Sequence, residues 1–292
     1  MRTPERIAVI GLGKMGGGLA RNLAARFDVT VFDLDAAAIE RCVAAGATAA
    51  ESAVAAADGV DLIVSSLPMP AHVVALYDEL APRLGSRDDG GGSPIVMDTS
   101  TIDPDTASRV ADTVGRDRYV ACLLGKGPAQ AETGEVPLFV GGPDDVLDAL
   151  GPVFDCIGAG VHRLGTVEAA TAFKLVSNLI GMTNLAVLAE GYTLCRRAGV
   201  DDDAFTAALA DTGGWSYQAE VRLPWMIAGD FEPRFSVALG RKDLALTVAM
   251  AARRDIATPV GAAGMSQLAS AAAHGYGDDD VAAVLKITDP AR

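Results

Sequence analysis

The chain has 292 residues, half of them hydrophobic, and its 24 basic and 38 acidic side chains leave a net charge of −14. That length suits two domains with sizeable cores, and the acidic balance argues against nucleic acid as a partner. No run of about 18 uninterrupted apolar residues marks a membrane span. Met1 leads straight into an apolar strand without a signal-like region, so a cytoplasmic protein is expected.

In chain order, the first signal is IAVIGLGKMGGGLARNL over residues 7–23. A short buried strand is followed by Gly11-x-Gly13-x-x-Gly16 and a helix start. A bare GxGxxG is a weak pattern, and a glycine-rich turn of another α/β protein has the same letters. Here the strand–turn–helix context suits a dinucleotide-binding βαβ unit. Gly11 permits the tight turn, Gly13 lets the backbone approach a pyrophosphate, and Gly16 lets the helix pack close. The positive end of that helix then faces the phosphates. The turn from Gly11 through Leu12, Gly13, Lys14 and Met15 is the first candidate cofactor contact. A second strand over Val29–Phe32 ends in Asp33, 22 positions after Gly11. A carboxylate there accepts ribose hydroxyls and repels a 2′-phosphate, which favours NAD over NADP.

Further strands are expected at Arg6–Ile10, Leu62–Ser66, Ile95–Met97, Tyr119–Leu123, Leu138–Val140 and Val161–Arg163, with helices between them, among them Met15–Ala25, Ala36–Ala45 and Asp103–Val114. This alternation implies a mostly parallel sheet with helices on both faces. The stretch Gly85–Pro94 (GSRDDGGGSP) reads as a polar surface loop. After Thr166 strand signals stop. A helix is expected over Val167–Ala198, with small residues that permit close packing. Others are expected at Asp202–Ala210, Ser236–Ala252, Val260–His274 and Asp278–Lys286. The boundary is placed near Gly165, giving domains 1–165 and 166–292.

Cys42, Cys122, Cys156 and Cys195 are widely spaced, which suits reduced structural thiols. His72, His162 and His274 are isolated, and no cluster has metal-ligand spacing, so no metal is expected.

Four segments could carry chemistry. Leu67-Pro68 follows the third of these strands, where a backbone contact to cofactor is common. Taken alone, the segment reads rather as a plain strand-to-helix turn, with Pro68 and Pro70 starting the helix. Asp98-Thr99-Ser100-Thr101 ends the next strand, on the edge where open α/β sheets bind ligands. Capping by Asp103 with Pro104 at the first helical position is the structural alternative, and Ser100 and Thr101 are the candidates for substrate and nicotinamide. Phe173-Lys174-Leu175-Val176-Ser177-Asn178 places Lys174 and Asn178 on one face of an apolar helix. Such a lysine either snorkels to the surface or is a desolvated functional amine suited to acid–base work. Arg241-Lys242-Asp243-Leu244 reads by itself as a solvated charged turn.

Taken together and in order, these segments resemble the β-hydroxyacid dehydrogenases over essentially the whole chain. GLGKMGGGLARNL resembles the family's cofactor signature, DTSTIDP its substrate loop, FKLVSN its catalytic-lysine helix and RKDL its C-terminal lysine motif. The resemblance implies an α/β fold, with an N-terminal Rossmann domain and a C-terminal all-α domain for substrate binding and oligomerisation. It implies Lys174 as the catalytic acid–base group, with Ser177 and Asn178 beside it on the substrate. Ser100 is then a substrate contact and Thr101 a cofactor contact, alongside Leu67 and Pro68. Lys242 closes over the nicotinamide end, and a homodimer or homotetramer is implied.

One segment departs from the family pattern. Where members commonly carry Ser-Gly-Gly, this chain has Gly125-Lys126-Gly127. The serine hydroxyl is lost and a cation is gained, as in sulfolactaldehyde reductases, which have Gly-Arg-Thr there. Lys126 and the Gly127 backbone are candidates for the acid end of a small anionic substrate. The reading is an NAD-dependent oxidoreductase that interconverts a small β-hydroxy acid or hydroxy sulfonate with its semialdehyde by hydride transfer. The rivals are an imine reductase of the same architecture, which usually lacks the Lys–Asn pair, and a catalytically silent NAD-binding module.

Overall fold

The computed structural model describes residues 2–84 and 92–290, so most of the expected loop at 85–94 lies outside the described residues. The chain forms two compact units, Met1–Lys174 and Leu175–Arg292.

In the first unit the strands are β1 (Arg6–Ile10), β2 (Asp28–Phe32), β3 (Thr48–Ala49), β4 (Leu62–Ser65), β5 (Ile95–Asp98), β6 (Tyr119–Leu124), β7 (Val136–Gly141) and β8 (Gly158–Arg163). They make one sheet in the order β3-β2-β1-β4-β5-β6-β7-β8. Every pairing is parallel except that of β6 with β7. The helices are α1 (Gly16–Ala24), α2 (Ala36–Val43), α3 (Ala53–Ala56), α4 (Pro70–Leu80), α5 (Pro104–Val114), α6 (Pro128–Thr133), α7 (Asp144–Ala149), α8 (Gly151–Ile157) and the long α9 (Val167–Arg197).

Both faces of the sheet are covered, which is why its strands read as continuous apolar runs. Ile7 and Val9 of β1 join one core with Leu19 and Leu23 of α1 and Phe154 of α8. Ala8 and Ile10 join the other with Val73 and Tyr77 of α4 and Val110 of α5. Because β1 lies between β2 and β4, the strand order reverses beside it. The carboxyl ends of these strands open the crevice where doubly wound sheets take ligands.

The second unit contains the rest of α9 and then α10 (Asp202–Ala210), α11 (Tyr217–Ala228), α12 (Val237–Ala252), α13 (Pro259–Ala271) and α14 (Leu285–Thr288). Its core is built by Leu185 and Tyr192 of α9, Leu223 and Met226 of α11, Leu244 of α12 and Leu268 of α13.

Three elements of the second unit differ from expectation. The helix α11 carries Pro224 in its interior, a residue that interrupts helical periodicity in sequence. The helix expected over Val260–His274 ends at Ala271 and runs into a π turn, in which Gly275 has φ +90°. The helix expected over Asp278–Lys286 is a 3₁₀ turn at Val281–Val284 followed by α14. Asp280 sets that break. Its buried carboxylate accepts Arg222 Nε at 3.2 Å, the Phe235 N–H at 2.9 Å and the Ala282 N–H at 3.0 Å.

By length and hydropathy α9 would pass as a membrane-spanning helix. Lys174, Ser177 and Asn178 interrupt its apolar run. Its inward residues are core residues: Val167 and Ala170 in the first unit, Met182, Leu185, Ala189 and Tyr192 in the second.

Candidate active site

The turn after β1 is built by close backbone approach. Gly11 has φ +91°, and a Cβ there would overlap the Ser66 carbonyl oxygen. A Cβ on Gly16 would overlap the Gly11 carbonyl and lie 2.8 Å from the Ser66 Cβ. Gly13, by contrast, has open space where a side chain would project. A cradle that side chains would fill at two positions, open at the third, fits a pyrophosphate. The helix α1 starts without a side-chain cap or an acidic residue in its first turn, so its positive end is not neutralised locally. Leu12 is buried and Met15 packs against the core, so both face a cofactor only through their backbone. Lys14 is exposed.

Asp33 stands at the end of β2. Its Oδ2 accepts the Leu12 N–H at 2.5 Å and its Oδ1 accepts the Asp35 N–H at 2.8 Å. The carboxylate thus holds the glycine turn in place. Each oxygen keeps acceptor capacity for a hydroxyl.

At the ends of β4 and β5 lies a buried polar cluster of which sequence reasoning assigned Ser100 alone. Asp98 Oδ1 accepts from Ser65 Oγ and from Ser100 Oγ, both at 2.6 Å, and from the Ser100 N–H at 3.2 Å. The Tyr77 hydroxyl donates to Ser65 Oγ at 2.7 Å, and the Leu67 N–H donates to Ser100 Oγ at 2.9 Å. Burial pushes the Asp98 carboxyl up to about 6, while hydrogen bonds from Ser100 and Ser65 pull it down. Burial, with the Asp98 charge, also pushes the Tyr77 and Tyr119 hydroxyls well above their usual range. The one hint in sequence was an aspartate directly after the apolar run Ile95-Val96-Met97. Thr101 is half-buried one residue on, and Pro68 is exposed beyond Leu67. Asp103 caps α5 through the Thr106 N–H at 3.3 Å, with Pro104 at the first position, so the capping expected of DTSTIDP as the structural alternative is present.

Lys174 is half-buried on α9, and its ammonium donates to the Leu124 carbonyl at 2.7 Å. That carbonyl ends β6, immediately before Gly125-Lys126-Gly127. Lys126 is exposed and holds a left-handed backbone, φ 55°. Gly127 is the N-cap of α6, whose first helical residue is Pro128. Phe173, next to Lys174, packs on Phe139 at 4.8 Å between ring centroids.

Within the second unit, Asn178 and Lys242 meet at Asp243. Asn178 Nδ2 donates to Asp243 Oδ2 at 2.6 Å, and Lys242 Nζ lies 3.0 Å from Oδ1. Asp243 is buried, so the charge is held by these partners rather than by water. Thr247 links the two helices, donating to the Leu175 and Asp243 carbonyls at 3.1 and 2.7 Å. The RKDL segment is therefore no solvated turn: Asp243 fixes the amide face of Asn178. Sequence reasoning quoted Asp243 without giving it a role. Ser177 is exposed. Among the described residues, no group of three or more His, Cys, Asp and Glu could hold a metal ion.

Comparison with known proteins accounts for both units. Residues 6–167 match the NAD binding domain of 6-phosphogluconate dehydrogenase, and residues 169–288 match the NAD-binding region of NADP-dependent 3-hydroxyisobutyrate dehydrogenase. An NAD-dependent L-serine dehydrogenase of Pseudomonas aeruginosa is 31% identical over 98% of both chains. This chain belongs to the β-hydroxyacid dehydrogenase family. A 3-sulfolactaldehyde reductase of Escherichia coli is 29% identical over 96% of this chain and 94% of its own. The crystal structure of a 3-hydroxyisobutyrate dehydrogenase from Salmonella typhimurium superposes with a TM-score of 0.85 at 29% identity, covering 97% of this chain and 99% of its own. An imine reductase from a Pseudomonas species shares the fold at a TM-score of 0.63 and 23% identity, over 98% of this chain and 99% of its own.

As a β-hydroxyacid dehydrogenase the protein is an NAD(P)-dependent oxidoreductase. The glycine turn and Asp33 are the residues of this chain that would hold the dinucleotide. The two glycine positions should separate folding from binding. Gly11→Ala forces a side chain into the Ser66 carbonyl at positive φ and should cost more than about 1–2 kcal/mol of stability. Gly13→Ala meets no protein atom and should keep the parent Tm while weakening dinucleotide binding. Thermal melts and NADH titration of both variants check this.

Proposed function

We propose that this enzyme interconverts a small acid carrying a neighbouring primary alcohol with the corresponding semialdehyde, using NAD, with Lys174 as the acid–base group. The observation that carries the reading is the Lys174 ammonium, half-buried in an apolar helix and fixed on the Leu124 carbonyl beside the Gly125–Gly127 loop. The bound dinucleotide supplies the redox chemistry at its nicotinamide. Lys174 gives a proton to the carbonyl oxygen during reduction and takes the hydroxyl proton during oxidation. Asn178, one helical turn on, orients the substrate, its own amide held by Asp243. Lys242 and Thr101 serve the cofactor.

The family includes relatives of both cofactor specificities by name, and Asp33 supports NAD. Its carboxylate, followed by Leu34 with no arginine beside it, suits two ribose hydroxyls and disfavours a 2′-phosphate. The parent should therefore turn over NAD faster than NADP at equal concentration. Asp33→Ala should narrow the ratio while lowering NAD affinity, since it also releases the Leu12 and Asp35 N–H groups. Equal or better turnover with NADP in the parent would refute the assignment.

Lys126 supports a strongly anionic substrate. A lysine held in the left-handed region costs about 1–2 kcal/mol relative to an ordinary conformation, and it stands here in the loop after β6. Its ammonium can meet a carboxylate or, better, a sulfonate, together with backbone N–H groups near Gly127. A panel of small acid aldehydes with carboxylate, sulfonate and phosphate ends, assayed with NADH, tests substrate and residues together. On the best substrate, Lys174→Ala should lower kcat about 10²- to 10⁴-fold with NADH binding retained. Lys126→Ala should raise KM about 10- to 100-fold with a smaller effect on kcat. Near-parent kcat in the first variant, or unchanged KM in the second, would overturn the respective role.

The same reading includes a cytoplasmic homodimer or homotetramer. Ile180, Val187 and Leu194 of α9 are 57%, 61% and 69% exposed at seven-residue spacing, which puts three large apolar side chains on one face. Light scattering at micromolar concentration should give a mass of two or four chains, and a monomer would count against the proposal.

A further inference from the structure

The family resemblance implies a substrate contact for Ser100, yet its side chain has no proton left for an anionic group. The hydroxyl carries one hydrogen, and it is given to Asp98 Oδ1 at 2.6 Å. One lone pair accepts the Leu67 N–H at 2.9 Å. The remaining lone pair would repel a carboxylate or sulfonate. The Ser100 N–H also points to Asp98, at 3.2 Å.

The same bonds make a continuous chain across two strand ends. Tyr77 donates to Ser65, Ser65 to Asp98, Ser100 to Asp98 and Leu67 to Ser100. Every donor in the chain points toward the carboxylate, so the arrangement closes only when Asp98 accepts. Thr99 adds a second lacing, its N–H and hydroxyl both 2.8 Å from the Ser65 carbonyl. What this lacing secures is the turn at Ser66–Leu67. The Ser66 carbonyl fills the space of a side chain at Gly11, the Ser66 Cβ crowds Gly16, and the Ser66 N–H donates to the Ile10 carbonyl at 3.0 Å. The wall of the pyrophosphate turn is thus the segment that hangs from Ser100.

We propose that Asp98 is a positioning residue for dinucleotide binding: through the Ser100 hydroxyl it fixes the Leu67 N–H, and so holds the Ser66–Pro68 turn against the Gly11–Gly16 turn. Ser100 then belongs to the cofactor framework rather than to the acid end of the substrate. The inference rests on the dinucleotide-binding fold and on no particular substrate.

Both hydroxyls donate to Oδ1, while Oδ2 has the Tyr119 hydroxyl at 3.5 Å, so a proton on Oδ2 leaves the two bonds in place but removes the charge that strengthens them. Since burial pushes the carboxyl up to about 6, this weakening sets in as pH drops through that value. The other titratable groups around it are Tyr77 of α4 and Tyr119 and Cys122 of β6, and burial pushes all three upward, away from that range.

The test is calorimetric titration of the full-length enzyme, without substrate, with whichever of NAD⁺ and NADP⁺ it turns over faster. The KM for the acid is then measured at saturating cofactor. Leaving the Leu67 N–H without its acceptor in Ser100→Ala should weaken dinucleotide binding roughly 5- to 100-fold, with the acid's KM moving less than about threefold. Parent affinity should fall below pH 6, whereas Asp98→Asn, which keeps an acceptor oxygen but does not titrate, should bind independently of pH across that value. Unchanged dinucleotide affinity in Ser100→Ala, or an acid KM that rises more than the dinucleotide dissociation constant, would overturn the proposal. If Ser100→Ala does not fold, the isosteric Asp98→Asn decides alone. Binding insensitive to pH supports the lacing, and a parent-like loss below pH 6 removes it.

Discussion

Backbone lies on backbone where β1 and β4 end. The Ser66 carbonyl occupies the place of a side chain at Gly11, and the Gly11 carbonyl that of a side chain at Gly16. This approach lets α1 begin directly over the strand ends, with its N–H groups aimed into the crevice rather than at a capping side chain. It also dictates the surroundings. With no side chains to lock the turn, the locks come from outside it: Asp33 on the Leu12 N–H from one side, the Asp98–Ser100–Leu67 chain from the other. Both are carboxylates accepting several hydrogen bonds, which is how an anion is kept beside a site that must receive further negative charge.

The proposed acid–base side rests on a different device. The helix α9 is one continuous element of 31 residues that carries both Lys174 and Asn178. Each is held by a partner far away in sequence, Lys174 by the Leu124 carbonyl and Asn178 by the Asp243 carboxylate. A carbonyl holds an ammonium without neutralising it. The Asp243 carboxylate lies against Asn178 and Lys242, where its charge is answered by the Lys242 ammonium.

Local signals were readable because they depend on neighbours in sequence. The glycine spacing, the alternation of apolar strands with helices, the acidic residue after β2 and the Lys174–Asn178 spacing all express geometry within a few turns of chain. They were enough to give the α/β architecture, the dinucleotide turn and the lysine helix. The two-residue strand β3 left no such signal, because two residues show no periodicity. The helix expected over Asp278–Lys286 looked regular for the same reason. Its break comes from Asp280 reaching Arg222, Phe235 and Arg234, all more than forty residues away.

What the sequence by itself determined is the class of chemistry: which residues can turn, which can bind phosphate, which amine sits in an apolar helix. What only the tertiary structure decided is where each polar atom spends its hydrogen bonds. Ser100 reads as a free hydroxyl in a ligand-facing loop until Asp98 and Leu67 are seen to use it. Asp243 reads as a surface charge until burial and Asn178 give it a place. Periodicity reports which side of an element faces inward. A hydrogen bond between residues 33 or 65 positions apart is a property of the closed chain alone.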